Sequence, residues 1–127
     1  MSRFAPFIAP FVAPSLALSA ALSFAVILGC NRMPPSKPLS ELTPQEAAGR
    51  QVFLGECSRC HDANSKQGLN GPGLEGLFRQ PYLPSGAAVS DDRVRETIEN
   101  GHGMMPPFAN RLDQEQLQEL MAYLHTL

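Results

Sequence analysis

Apolar positions recur along the chain in three helical stretches, separated by long polar ones. Gly49, Val52 and Phe53, with Ala48, fall on one side of a 3.6-residue period. Just ahead of them stands Thr43-Pro44-Gln45-Glu46. Thr43 suits the cap, Pro44 the first helical position and Glu46 the third position of a capping box. The pattern predicts a helix that starts at Thr43, runs to about Glu56 and delivers the chain into Cys57. A second helix is expected from Ser90 or Asp91 to about Asn100, with Val94 and Ile98 inward and Gly101 and Gly103 at its end. A third starts at Asp113, with Gln116 three residues on, and carries Leu117, Leu120, Met121 and Leu124 as one stripe. No stretch alternates as a strand would, so the expected fold class is all-α.

The segment 62–90 fits none of these patterns. It is rich in Gly, Pro, Asn and Ser, with one helical turn expected at 74–78, and holds too few apolar residues to form its own core. It reads as loop packed over something large. A domain this small, a third of it loop, buries little apolar surface, and the chain has no spare pair of cysteines for a disulfide. Small folds of this kind need a staple, so a large apolar cofactor is expected.

Residues 1–28 differ from the rest. Their one charge is Arg3, and an apolar stretch follows, as in an export signal. The clean helical part, 16–28, is short against the ~20 residues that span a bilayer; an uncleaved anchor starting near Phe11 is the alternative. Ile27-Leu28-Gly29-Cys30 resembles the lipobox of bacterial lipoproteins, although Leu28 stands where small residues are usual. Cys30 is thus the expected site of lipidation and of membrane tethering. The chain divides into a lipoprotein-like signal peptide over 1–29, a Pro-rich tether over 30–42 with a reach of roughly 35–40 Å, and a domain over 43–127. This organisation implies an exported protein on the periplasmic side. The formal charge of −2, the absence of Trp and the scattered Lys and Arg give no sign of nucleic-acid binding.

The candidate chemistry sits in Cys57-Ser58-Arg59-Cys60-His61, a C-x-x-C-H sequence. Two thiols at this spacing reach the two vinyl groups of a haem, and His61 follows as proximal iron ligand. The motif occurs once, so one covalent haem c is expected. A zinc site would need two further ligands, and His102 and His125 lack the usual spacing; a redox disulfide of the thioredoxin kind would want a βαβ context. For the opposite face of the iron, Gly101-His102-Gly103-Met104-Met105-Pro106-Pro107-Phe108 is the candidate loop. Pro106 biases Met105 towards extended backbone, where neighbouring side chains point opposite ways. The two are therefore not expected to face the iron together, and Met105 is chosen. His102 is the rival ligand, both methionines as core filler the other alternative, and His125 is expected at the surface.

With these motifs in order, residues 43–127 resemble the class I c-type cytochromes. That family carries a Gly and an aromatic ahead of C-x-x-C-H, matched by Gly49 and Phe53, and a Leu and Tyr on its last helix, matched by Leu120 and Tyr123. Its G-P-x-L-x-G-L-F segment is matched from Gly71 through Phe78, and its Met-Pro-x-Phe by Met105 to Phe108. The resemblance implies about three main helices wrapped around one haem, and a Pro72 carbonyl that accepts the N–H of His61. It also implies His61 and Met105 as the two iron ligands. Arg79-Gln80 shifts by one place the arginine that the family uses near a haem propionate, and the lysine-rich docking face of mitochondrial members is missing. The implied function is a monomeric electron carrier that docks transiently on redox proteins. A fixed subunit of an oxidase or dehydrogenase, or a haem enzyme or gas sensor with an open iron site, are the alternatives.

Overall fold

The computed structural model describes residues 36–127. The signal peptide, Cys30 and the first part of the tether lie outside the described residues. Three α-helices carry the domain: α1, Pro44–Val52; α2, Asp91–Asn100; and α3, Gln114–Leu124. Among the described residues the only β-like pairings are two isolated bridges, Tyr82 with Ala88 and His102 with Met105, and no helix is long and apolar enough to cross a membrane.

Each helix begins as its sequence requires. The Thr43 hydroxyl accepts the Glu46 N–H at 3.3 Å and the Glu46 carboxylate accepts the Thr43 N–H at 2.6 Å. Asp113 and Gln116 form the same reciprocal box on α3, at 2.8 and 3.1 Å. For α2 the cap is Ser90, whose hydroxyl accepts the Arg93 N–H. The expected stripe on α3 is buried, together with Tyr123, which the stripe did not include.

α1 and α3 cross at close quarters. A Cβ on Gly49 would stand 1.8 Å from the Glu119 carbonyl oxygen, so only a residue without a side chain lets the two backbones approach. Beside this point the Phe53 and Tyr123 rings pack with centroids 5.5 Å apart, tilted by 55°. Leu120 is wholly buried against them. Val94 and Ile98 of α2, with Phe108 and Leu112 of the loop after it, complete the core.

Two features depart from expectation. The first helix does not run on regularly to Glu56. It widens into a π-helical turn at Phe53–Cys57, with the Ser58 N–H on the Phe53 carbonyl at 2.9 Å and the Ser58 hydroxyl on the Leu54 carbonyl at 2.7 Å. The described part of the expected tether does not stand free either. The Lys37 N–H donates to the Thr126 carbonyl at 2.8 Å, and Lys37 Nζ meets Glu46 Oε2 at 2.7 Å. A 3₁₀ turn at Leu39–Glu41 follows, and Leu42 packs on the core. Among the described residues, the chain is thus already held against the domain at Lys37, within the expected tether.

Candidate functional site

The π turn ends on Cys57, and the chain then tightens: the N–H groups of Cys60 and His61 both donate to the Cys57 carbonyl, each at 3.0 Å. Cys57 and Cys60 are free thiols, both partly buried. Burial pushes the Cys57 thiol up to about 11, with the Glu56 carboxylate and Cys60 adding to the rise.

The loop 71–74 is stitched against this motif. The Gly71 N–H donates to the Cys60 carbonyl and the Leu74 N–H to the Asp62 carbonyl, each at 2.8 Å. Between these two bonds the Pro72 carbonyl accepts from His61 Nδ1 at 2.7 Å. A carbonyl can only accept, so Nδ1 carries the proton and Nε2 keeps its lone pair for a metal. The same bond makes the ring a more basic ligand and fixes its orientation. Gly71 is required here, because a Cβ would lie 2.6 Å from Cε1 of the His61 ring.

A cavity of about 330 Å³ opens beside Pro72, walled by Leu74, Leu77 and Leu83, with Lys66, Gln80 and Tyr82 as polar members. Gln80 lines it, and the neighbouring Arg79 is exposed.

The other candidate iron ligands lie on the loop after α2. His102 and Met105 face each other across a tight turn, with N–H to carbonyl bonds of 3.1 and 3.0 Å in both directions. Met104 at the tip is 90% exposed, whereas Met105 packs against the core. His102 is exposed. His125 lies at the surface, as expected; its ring stacks on Phe78 at 3.7 Å between centroids and its Nε2 meets Asp91 at 3.0 Å. Among the described residues no group of three His, Cys, Asp or Glu lies close enough together to hold a metal.

These residues suit a covalently attached haem. Two free thiols flank an imidazole with a committed tautomer, next to an apolar-walled cavity, and one thioether side chain is turned inward from another loop. Cys57, Cys60, His61 and Met105 would hold the group, which would supply a one-electron iron couple. Sequence reasoning missed Glu56 and Arg111, whose charged ends meet at 2.7 Å beside this site. Nothing in their separation along the chain could have paired them.

Comparison with known proteins agrees. Residues 44–124 match the family model described as cytochrome c oxidase, cbb3-type, subunit III. The chloroplastic cytochrome c6 of Chlamydomonas reinhardtii is 33% identical over 61% of this chain and 51% of its own length. The cbb3-type cytochrome c oxidase subunit FixPc of Rhizobium leguminosarum is 31% identical over 81% of this chain and 33% of its own. The chain thus spans about half of the first relative and a third of the second. The solved cytochrome c6 of the diatom Phaeodactylum tricornutum is 27% identical, covering 62% of this chain and 88% of that one, with a TM-score of 0.47. With the motif, the helices and the family model in agreement over the same residues, the chain belongs to the cbb3-type subunit III family of class I c-type cytochromes and holds one haem c covalently.

Proposed function

We propose that this protein is an electron carrier, and not itself an enzyme, that works outside the cytoplasmic membrane with His61 and Met105 as its iron ligands. Cys57 and Cys60 form the two thioether bonds. The observation that carries the reading is the 2.7 Å bond from His61 Nδ1 to the Pro72 carbonyl, which leaves Nε2 free for iron. The inward packing of Met105 beside an exposed Met104 and an exposed His102 supports the second ligand. His61, made more basic by Pro72, and the neutral thioether of Met105 would be the groups that hold the iron. The thioether favours ferrous iron relative to a more basic ligand. Leu74, Leu77 and Leu83 would give the haem an apolar surface to pack on. Cys30 carries the lipid that ties the chain to the membrane, and the monomeric domain docks transiently on redox proteins through a small interface.

The match to the oxidase family model favours one second reading, a permanent subunit of such a complex. Co-purification of the chain with an oxidase through gel filtration distinguishes a fixed subunit from a shuttle. The ligand assignment is tested by Met105→Ala. The haem stays attached, the weak far-red band of methionine–ferric ligation disappears and the midpoint potential falls. An unchanged band and potential would sink the assignment of Met105. A high-spin spectrum of the wild type would indicate an open iron site, and low-spin bands without the far-red feature would indicate His102.

A further inference from the structure

Glu56 is the residue before Cys57, inside the π turn. Its Oε2 is closed off from solvent and has no hydrogen-bond partner among the described residues. The charged group beside it is Arg111, with Nη2 at 2.7 Å. Arg111 belongs to the loop that follows Met105, and its guanidinium also sits 5.1 Å from the centre of the Phe108 ring. Phe108 is itself buried and anchored, its N–H on the Ile98 carbonyl at 3.0 Å. The loop bearing Met105 is therefore fastened to the turn bearing Cys57 by one ion pair.

A carboxylate oxygen in such a place is penalised by desolvation unless a cation faces it. Arg111 supplies that cation. Glu56 is also the neighbour of Cys57 within the π turn, so its carboxylate belongs to the residue next to that sulfur. In the loaded protein that sulfur is bonded to the rim of the haem. Reduction adds one electron to the haem iron and no proton. An unbalanced negative charge at Glu56 therefore opposes reduction, and an unbalanced positive charge at Arg111 favours it.

We propose that the Glu56–Arg111 pair is a positioning and potential-setting element, which fastens the Met105 loop to the Cys57 turn and keeps the charge beside the haem rim balanced. The proposal rests on haem attachment at Cys57 as given under the proposed function. It makes Arg111 and Glu56 opposing levers on one quantity, whereas a purely structural clamp would move both variants in the same direction.

The test is a redox titration of the holoprotein, with the far-red band followed alongside. Glu56→Gln keeps the shape and loses the charge, and its potential rises. Arg111→Gln lowers the potential. Each shift corresponds to a roughly two- to tenfold change in the ferrous-to-ferric ratio at fixed ambient potential, a tenfold change being about 59 mV. The double variant returns to within about twofold of the wild-type ratio. Arg111→Lys keeps the potential but loses the far-red band at a lower temperature, because it lacks the planar group that stacks on Phe108. Shifts of the same sign, or none, in variants with intact low-spin spectra overturn the proposal. If Arg111→Gln gives no holoprotein, Glu56→Gln decides alone, and a potential that fails to rise overturns it. A wild type without the far-red band speaks against Met105 as ligand but leaves these opposite shifts in place, since they act through Cys57.

Discussion

Replacing Gly49 by alanine tests the helix crossing that closes the domain. The added methyl would stand 1.8 Å from the Glu119 oxygen, 2.3 Å from its carbon and 2.9 Å from the Leu120 nitrogen. All three are backbone atoms of α3, so no side-chain rotation relieves the clash. The helices must part by about 1.6 Å before ordinary contact is reached. A gap of roughly 0.5–1 Å already forfeits a quarter to a half of a dispersion contact. Phe53, Leu120 and Tyr123 lie at the crossing, each worth ~1.5–3 kcal/mol when buried. Losing about half of their sum, less the ~1 kcal/mol that alanine returns over glycine within a helix, leaves a net loss of about 1–3.5 kcal/mol. For a domain of this size the melting temperature then falls by roughly 5–25 °C. The assay is thermal and guanidinium unfolding of the holoprotein, followed by far-UV circular dichroism and haem absorbance together. Gly55→Ala is the control: a Cβ there meets nothing within 4 Å, so stability stays level or rises by up to ~1 kcal/mol. If Gly49→Ala is as stable as Gly55→Ala, the close-crossing argument is wrong.

Two further outcomes follow from the contacts at His61 and Lys37. Gly71→Ala places a methyl 2.6 Å from the His61 ring and pushes it off Pro72. A hydrogen bond of ~1 kcal/mol is lost, the imidazole becomes less basic and the potential rises by about 40 mV; an unchanged titration midpoint with intact haem content counts against the tautomer argument. At Glu46, the hydrogen bond from Lys37, followed by that from the Thr43 backbone, holds the carboxyl below its usual pKa. The folded value is the lower one, so the stabilisation is complete above the ordinary Glu range and is lost as pH falls through the folded pKa. The stability gap between wild type and Glu46→Gln, measured by urea unfolding, should be full at pH 6–7 and close below about pH 4; a gap that persists undiminished in stronger acid contradicts the assignment.

The three helices were legible because their ends carry local chemistry. Thr43 with Glu46 and Asp113 with Gln116 satisfy backbone groups within one turn, and that information lies wholly in neighbouring residues. The C-x-x-C-H motif was legible for the same reason, its spacing being its chemistry. The π turn at Phe53–Cys57 was not, because one wider turn leaves the apolar period before it intact and hides the change behind Gly55. The docking of Lys37 onto Thr126 could not be read either: a proline-rich segment next to a domain looks alike whether it packs or not. The Glu56–Arg111 pair depends on how the last loop folds back over the first helix, which no local pattern encodes. Pro106 beside Met105 suggested that the two methionines point different ways, and Met105 does pack on the core while Met104 is exposed.

The crossing of α1 and α3 joins the two ends of the domain, with the C-x-x-C-H motif and both loops between them. Closing so long a span is entropically unfavourable until the final contacts form, and those contacts belong to the last helix. Thr126 and Leu127 are themselves buried there, and the Thr126 carbonyl receives Lys37. A growing chain therefore cannot close in the order in which it is made; it stays open until residues 114–127 have been released. During that interval Cys57 is free of the burial that pushes its thiol up to about 11 in the closed domain, so its reactive thiolate is far more available. Cys57 is therefore better placed to form a thioether before the first and last helices meet than after.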